Sequence, residues 1–189
     1  MIMLAGPNGA GKSTIYEYIV RHKFNAPFIN ADHIQKQELD DQSMQGAYQA
    51  AQIAEQRRQH HLSNNLSFVS ESTFSHPSKL ELIATAKQAD FRVVLYHVNV
   101  KTPELSIARV ASRVNQGGHN VPEDKIRARY QRNQTLIKQA VLSADVGFVY
   151  DNSALNQVPE LCLTLRHGRI VQRANALPNW VLQLYAEQL

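Results

Sequence analysis

Eight consecutive residues, Gly6-Pro7-Asn8-Gly9-Ala10-Gly11-Lys12-Ser13, satisfy the pattern G-x-x-x-x-G-K-[ST]. Each position has a chemical reason. Glycines let the backbone curl until successive N–H groups point inward, which suits phosphate oxygens. The lysine reaches the β- and γ-phosphates as a point charge, and the following hydroxyl takes one position on an octahedral Mg²⁺. Gly6, Pro7, Asn8, Gly9, Ala10, Gly11, Lys12, Ser13 and Thr14 are therefore read as the ATP-binding residues, with Ser13 on the metal and Lys12 also catalytic. A chance glycine-rich turn would lack the flanking elements seen here. Met1 to Ala5 is an apolar run of strand type, and Thr14 to Val20 carries Ile15, Ile19 and Val20 at helical spacing.

Further chemistry-bearing residues lie where other apolar runs end. Asp32 and His33 follow a short strand over Ala26 to Asn30, and Glu71 lies in Ser70-Glu71-Ser72-Thr73 after a strand over Leu66 to Val69. Asp32 can act on an acceptor hydroxyl, cap a helix or touch Mg²⁺ through water. Glu71 can contact substrate, hold Mg²⁺ indirectly or cap Ser72 and Thr73. Arg109 and Arg113 are four apart and so share one helix face. From Lys101 to Ala140 there are eight Lys or Arg against three acids, a local +5 in a chain whose formal charge is +4. A positive field focused beside a phosphate cradle is what phosphoryl transfer requires, although a solvated helix face can carry the same run.

The elements that must position these groups alternate between the two periodicities. Helices are expected over Ser43 to His61 (buried face Met44, Ala47, Tyr48, Ala51, Ala54), Pro77 to Ala89, Thr102 to about Val114 and Pro122 to about Val141. A polar loop follows Asp32, and Asn115 to Asn120 forms another. Strands over Phe91 to Val100 and Asp145 to Tyr150 bring the count to five, and the tail reads as a hairpin around His167-Gly168 with a closing helix over Asn179 to Gln188. Strands alternating with helices mean βαβ units. The fold class expected is α/β, a three-layer P-loop NTPase of kinase type with a central, mostly parallel five-stranded sheet, a helical lid over about 103–140 and a C-terminal hairpin plus helix over about 160–189, all one domain.

Composition narrows the class further. The chain has 189 residues, 43 % hydrophobic and 19 % charged, enough for an adequate core. No apolar run approaches the roughly 20 residues that span a bilayer, and the chain opens on the cradle strand, so a cytoplasmic protein without a membrane partner is expected. Its single cysteine, Cys162, sits in a strand-like run and rules out a disulfide framework. Strand ends lack the paired acids of motor or transporter ATPases, and no aromatic-rich sheet offers a nucleic-acid platform. What remains is the pattern of a small kinase.

Gly6 to Thr14, Ile29-Asn30-Ala31-Asp32, Glu71-Ser72-Thr73 and the downstream arginine-rich lid together resemble the zeta toxin family over residue 1 to about Asn152. That resemblance implies transfer of the γ-phosphate of ATP to a hydroxyl of UDP-N-acetylglucosamine, with ATP and Mg²⁺ as cofactors and an antitoxin as protein partner. It further implies Asp32 as general base, Glu71 and Thr73 as acceptor contacts, and Arg109 or Arg113 as the first phosphate-clamping arginine. The chain departs from the family where the second clamping arginine should stand. There His119 precedes Pro122, with Arg127 or Arg129 able to substitute on the acceptor side. Two alternatives stay open: a kinase for another acceptor, such as a nucleoside or a polynucleotide 5′-hydroxyl, and an ATP-binding switch without transfer.

Overall fold

The N-terminal apolar run forms β1 (Ile2–Ala5), buried along its whole length because both of its faces are covered. Successive side chains of a strand point to opposite faces. Accordingly Met3 and Ala5 belong to one apolar core and Ile2 and Leu4 to another. The computed structural model describes residues 1–41, 43–114 and 121–189.

Five strands run parallel in the order β2 (Phe28–Ile29), β3 (Val69–Ser72), β1, β4 (Val94–Asn99) and β5 (Val146–Asp151). The sheet does not stop at the five strands expected. β6 (Glu160–Arg166) pairs antiparallel with β5, and β7 (Arg169–Arg173) pairs antiparallel with β6, so the sheet has seven strands. The terminal hairpin is thus part of the sheet. An open β5 would present a row of unpaired N–H and C=O groups, and an antiparallel partner needs only a short connection to satisfy them.

The larger core joins β1, β4 and β5 to α3 (Met44–Ser63), α4 (Ser78–Gln88), α6 (Glu123–Ser143) and α7 (Asn179–Leu184) through Ala54, Ile83, Ile137, Ala140, Trp180 and Tyr185. The smaller core packs Ile15 and Val20, from α1 (Lys12–Ile15) and the wider turn Tyr16–Val20 that continues it, against Leu4, Tyr96 and Val98. α5 (Pro103–Val114) meets α6 through Val110 and Ile126. Among the described residues no helix is long and apolar enough to cross a membrane.

Two local expectations are corrected. The residues expected as a polar loop after Asp32 instead continue α2 (Ala31–Ile34), which is extended by the wider turn Gln35–Leu39. Asn30 caps it by accepting the N–H groups of Asp32 and His33, and two apolar residues, Ile34 and Leu39, anchor it to the core. The buried face of α3 is likewise shifted from the one expected. Met44 and Tyr48 are 80 % and 69 % exposed, whereas Gly46, Ala50, Ala54, Arg58 and Leu62 face inward. Small residues mark that face because the preceding segment lies close: a Cβ on Gly46 would sit 2.3 Å from the Asp41 carbonyl oxygen.

The connections after β1 lead first to β2 and β3 on one side and later to β4 and β5 on the other. Such a reversal opens a crevice beyond the carboxyl end of the first strand. The glycine-rich loop occupies that position.

Candidate active site

The cradle is shaped by backbone restraint before any ligand arrives. Gly11 caps α1 in the left-handed region (φ 90°) without a side-chain bond, and a Cβ there would lie 2.0 Å from Asn152 Nδ2. Only glycine tolerates both. With no side-chain acceptor at the cap, the first-turn N–H groups of α1 remain available to an anion.

Lys12 is buried beneath the loop, its side chain 6 % exposed. Its Nζ donates to the carbonyls of Gly6 (3.0 Å) and Pro7 (3.1 Å), and Glu71 Oε1 lies 3.5 Å away. Glu71 Oε2 accepts from Ser13 Oγ (3.2 Å) and from Asn30 Nδ2 (3.0 Å). The carboxylate at the carboxyl end of β3 therefore sits against the lysine and the metal-side hydroxyl of the cradle. Asn30 links this cluster to α2: its amide nitrogen holds Glu71 while its Oδ1 accepts the Asp32 N–H at 2.8 Å. Asp32 itself is solvent-exposed in the first turn of α2.

A cleft of about 600 Å³ opens at the cradle, its lining including polar Lys12, Ser13, Glu71, Arg109 and Arg113 and the larger apolar or aromatic Tyr18, Val158 and Pro159. This is ample for a nucleoside triphosphate. Arg109 is half-buried, and its Nη2 donates to the Ala154 carbonyl at 3.4 Å. Burial pulls its guanidinium below the ordinary arginine value while nearby Asp151 opposes that shift, and arginine stays charged through such changes.

The lid residues are divided. Arg129 Nη1 donates to Asn8 Oδ1 at 3.1 Å and so reaches the cradle from α6, whereas Arg127 is exposed and pairs with Glu104 of α5. Tyr130 OH donates to the Val100 carbonyl at 2.6 Å, which pins α6 over the end of β4. Thr73 follows β3, and its carbonyl accepts from the Asn133 amide. His119 lies outside the described residues.

Thus the structure brings Gly9, Gly11, Lys12, Ser13, Thr14, Glu71, Arg109 and Arg113 to one cleft, while Asp32, Thr73 and Arg127 are not among its lining residues. Four contributors were given no role from sequence. Asn30 carries a helix-cap signal, and Asn152 follows a strand end, where ligands bind; its Nδ2 donates to the Ala10 carbonyl at 2.9 Å. Tyr18 and the stretch 154–159 carry no motif at all. Two further groups are structural: Cys162 is fully buried, its thiol pushed up to about 12 by desolvation, and His97 is fully buried and pushed down to about 3.

The residues present suit Mg²⁺, which keeps several waters and takes phosphate oxygens, so that one hydroxyl and one nearby carboxylate are a sufficient protein contribution. Ser13 and Glu71 supply that pair. Among the described residues no cluster of three or more His, Cys, Asp or Glu forms a dedicated metal cage.

The family model described as zeta toxin matches residues 1–158. An uncharacterized protein of Haemophilus influenzae is 31 % identical over 133 residues, covering 68 % of this chain and 91 % of its own. Among solved structures, the AvrRxo1-ORF1:-ORF2 complex with ATP superposes with a TM-score of 0.69 at 15 % identity, over 99 % of this chain. The present chain spans only 62 % of that protein's length. The PezAT chromosomal toxin-antitoxin system of Streptococcus pneumoniae gives 0.61 at 17 % identity over 100 % of this chain and 77 % of that one. A putative kinase from Chloroflexus aurantiacus gives 0.59 at 15 % identity over 100 % and 97 %. At these identities the structural matches speak for the fold, that of the P-loop kinases.

Proposed function

The chain belongs to the zeta toxin family, and from that membership we propose that it is an ATP-dependent kinase that phosphorylates a hydroxyl of a nucleotide sugar such as UDP-N-acetylglucosamine. The observation that carries the reading is the convergence of Lys12, Ser13 and Glu71 at the cradle, with Arg109 and Arg113 lining the same cleft. The cradle binds the triphosphate, and Tyr18, Val158 and Pro159 of the cleft lining offer apolar surface to the base. Lys12 and the arginines stabilise the charge that spreads over the equatorial oxygens of the transferring group. Ser13 and Glu71 would hold Mg²⁺ at the cradle, Ser13 through its hydroxyl and Glu71 by orienting that hydroxyl, and the metal would supply charge neutralisation at the phosphates. Asp32 receives the proton of the acceptor hydroxyl as the new oxygen–phosphorus bond forms and the bond to ADP breaks.

Support for the sugar acceptor comes from the family rather than from the cleft. An antitoxin partner, named for the PezAT neighbour, and a cytoplasmic location are proposed on the same footing. The decisive experiment incubates the protein with ATP, Mg²⁺ and either UDP-N-acetylglucosamine or a metabolite extract and follows products by mass spectrometry. A gain of one phosphate on the sugar is expected. A phosphate gained by a nucleoside or an oligonucleotide instead would move the acceptor, and ATP binding with no phosphorylated product would make the protein a switch.

A further inference from the structure

Residues 159–189 lie outside the family match, yet within them the closing helix is tied by a side-chain hydrogen bond to the strand end beside the nucleotide cleft. Asp151, the last residue of β5, accepts from Trp180 Nε1 at 2.7 Å and from Ser153 Oγ at 2.8 Å through Oδ1, and from the Ser153 N–H at 3.2 Å through Oδ2. Ser153 Oγ in turn accepts the Lys101 N–H at 2.8 Å, which ties the turn to the exit of β4. The residues held in this way touch the site directly. Asn152 donates its N–H to the Asn99 carbonyl (2.8 Å) and its Nδ2 to Ala10 of the cradle (2.9 Å), and the Ala154 carbonyl receives Arg109. Asn152 and Ala154 line the cleft; Trp180 and Asp151 do not.

We infer that α7 is a positioning element of the nucleotide site, acting through Trp180 on Asp151 and through that turn on the cradle and Arg109. Covering the sheet does not require this chemistry. A phenylalanine would cover most of the same surface with no polar atom to satisfy, whereas a buried indole N–H needs an acceptor and here has a carboxylate, the strongest kind available. The residue that caps the other end of the helix is a second polar anchor of a different sort. Tyr185 OH lies 2.9 Å from His97 Nδ1 in the core, where the His97 ring meets both the Trp180 and the Tyr185 rings, and it makes no bond to Asp151. Two anchors on one short segment, only one of them aimed at the cleft, allow a positioning role to be separated from a structural one.

The inference rests on the cleft binding ATP, and the test separates the two claims. ATP affinity is measured by calorimetry for the wild type, Trp180→Phe and Tyr185→Phe, together with each thermal midpoint. Trp180→Phe is expected to weaken ATP binding about tenfold, the size of one hydrogen bond to a charged group. Tyr185→Phe is expected to lower the midpoint and leave ATP affinity within about twofold of wild type. Trp180 is the only tryptophan, so its emission is a second readout. In the wild type it should change saturably with ATP, and Asp151→Asn should abolish most of that change, which keeps the test valid if Trp180→Phe folds poorly. Wild-type affinity in Trp180→Phe, equal weakening in both aromatic variants, or an undiminished emission response in Asp151→Asn would each overturn the inference. A wild-type protein that binds no ATP would overturn the kinase reading and this inference with it.

Discussion

Glu71→Gln separates two roles for the carboxylate at the end of β3. The substitution keeps shape and the contact with Asn30 but removes a negative charge that lies 3.5 Å from Lys12 Nζ and accepts from Ser13 Oγ at 3.2 Å. At 3.5 Å the Coulomb attraction between Lys12 and Glu71 is at most about 5 kcal/mol for an effective dielectric of about 20. Water in the open cleft and the cost of desolvating both partners reduce the net change to roughly 1 kcal/mol. With that competitor gone, Lys12 is freer to meet phosphate, so ATP binding without metal should tighten about fivefold. Turnover should move the other way. If Glu71 positions the metal side of the transferring phosphate, its loss should lower kcat by about a hundredfold, roughly 2.7 kcal/mol in the barrier, and raise the Mg²⁺ concentration needed for half-maximal rate. The assay is a steady-state titration of Mg²⁺, ATP and acceptor in turn, with calorimetry of ATP in EDTA. An unchanged kcat and Mg²⁺ dependence with a raised KM for acceptor alone would refute this reasoning and make Glu71 an acceptor contact.

Asp32→Asn should leave ATP affinity intact and lower kcat by at least about a hundredfold; collapse of ATP binding with transfer persisting would make Asp32 a structural or metal-side residue. Arg109, half-buried and held at the Ala154 carbonyl, is better preorganised than exposed Arg113, so Arg109→Ala should cost about 3–4 kcal/mol in the barrier and Arg113→Ala under about 1, read from kcat/KM. Equal losses would show that both clamp phosphate. His97 is buried with its pKa pushed down to about 3 by desolvation, against about 6.5 when unfolded, so the unfolded chain binds the extra proton as pH falls below 6.5. Stability from this group is complete above pH 6.5, and by pH 5 it should have fallen by about 2 kcal/mol, measured by denaturant titration; a flat profile between pH 7.5 and 5 would show that His97 is charged or exposed in the native state.

The cradle was legible from sequence because its chemistry is local: glycines, lysine and hydroxyl work through backbone geometry within nine residues, between a strand and a helix that announce themselves by period. The parallel sheet followed from the alternation of strands and helices, and the segments bearing Arg109 and Arg129 were placed on their helices by spacing and proline starts. Other features depended on what came to lie beside them. The stretch from Ile34 to Leu39 read as a loop because two apolar side chains suffice for a helix that Asn30 caps and the core anchors. The inner face of α3 was misassigned because close approach selects Gly46 and Ala50 over Met44 and Tyr48. The hairpin joined the sheet because β5 had an open edge, a fact with no local signal. The meeting of Glu71 with Lys12 and Ser13, 58 residues apart in the case of Ser13, and the reach of Asn152 across 142 residues to Ala10 were decided by strand order alone. Sequence spacing specifies which groups can react; which of them share a cleft is fixed by the register of β1 between β3 and β4, since that pairing sets where each strand's carboxyl end stops.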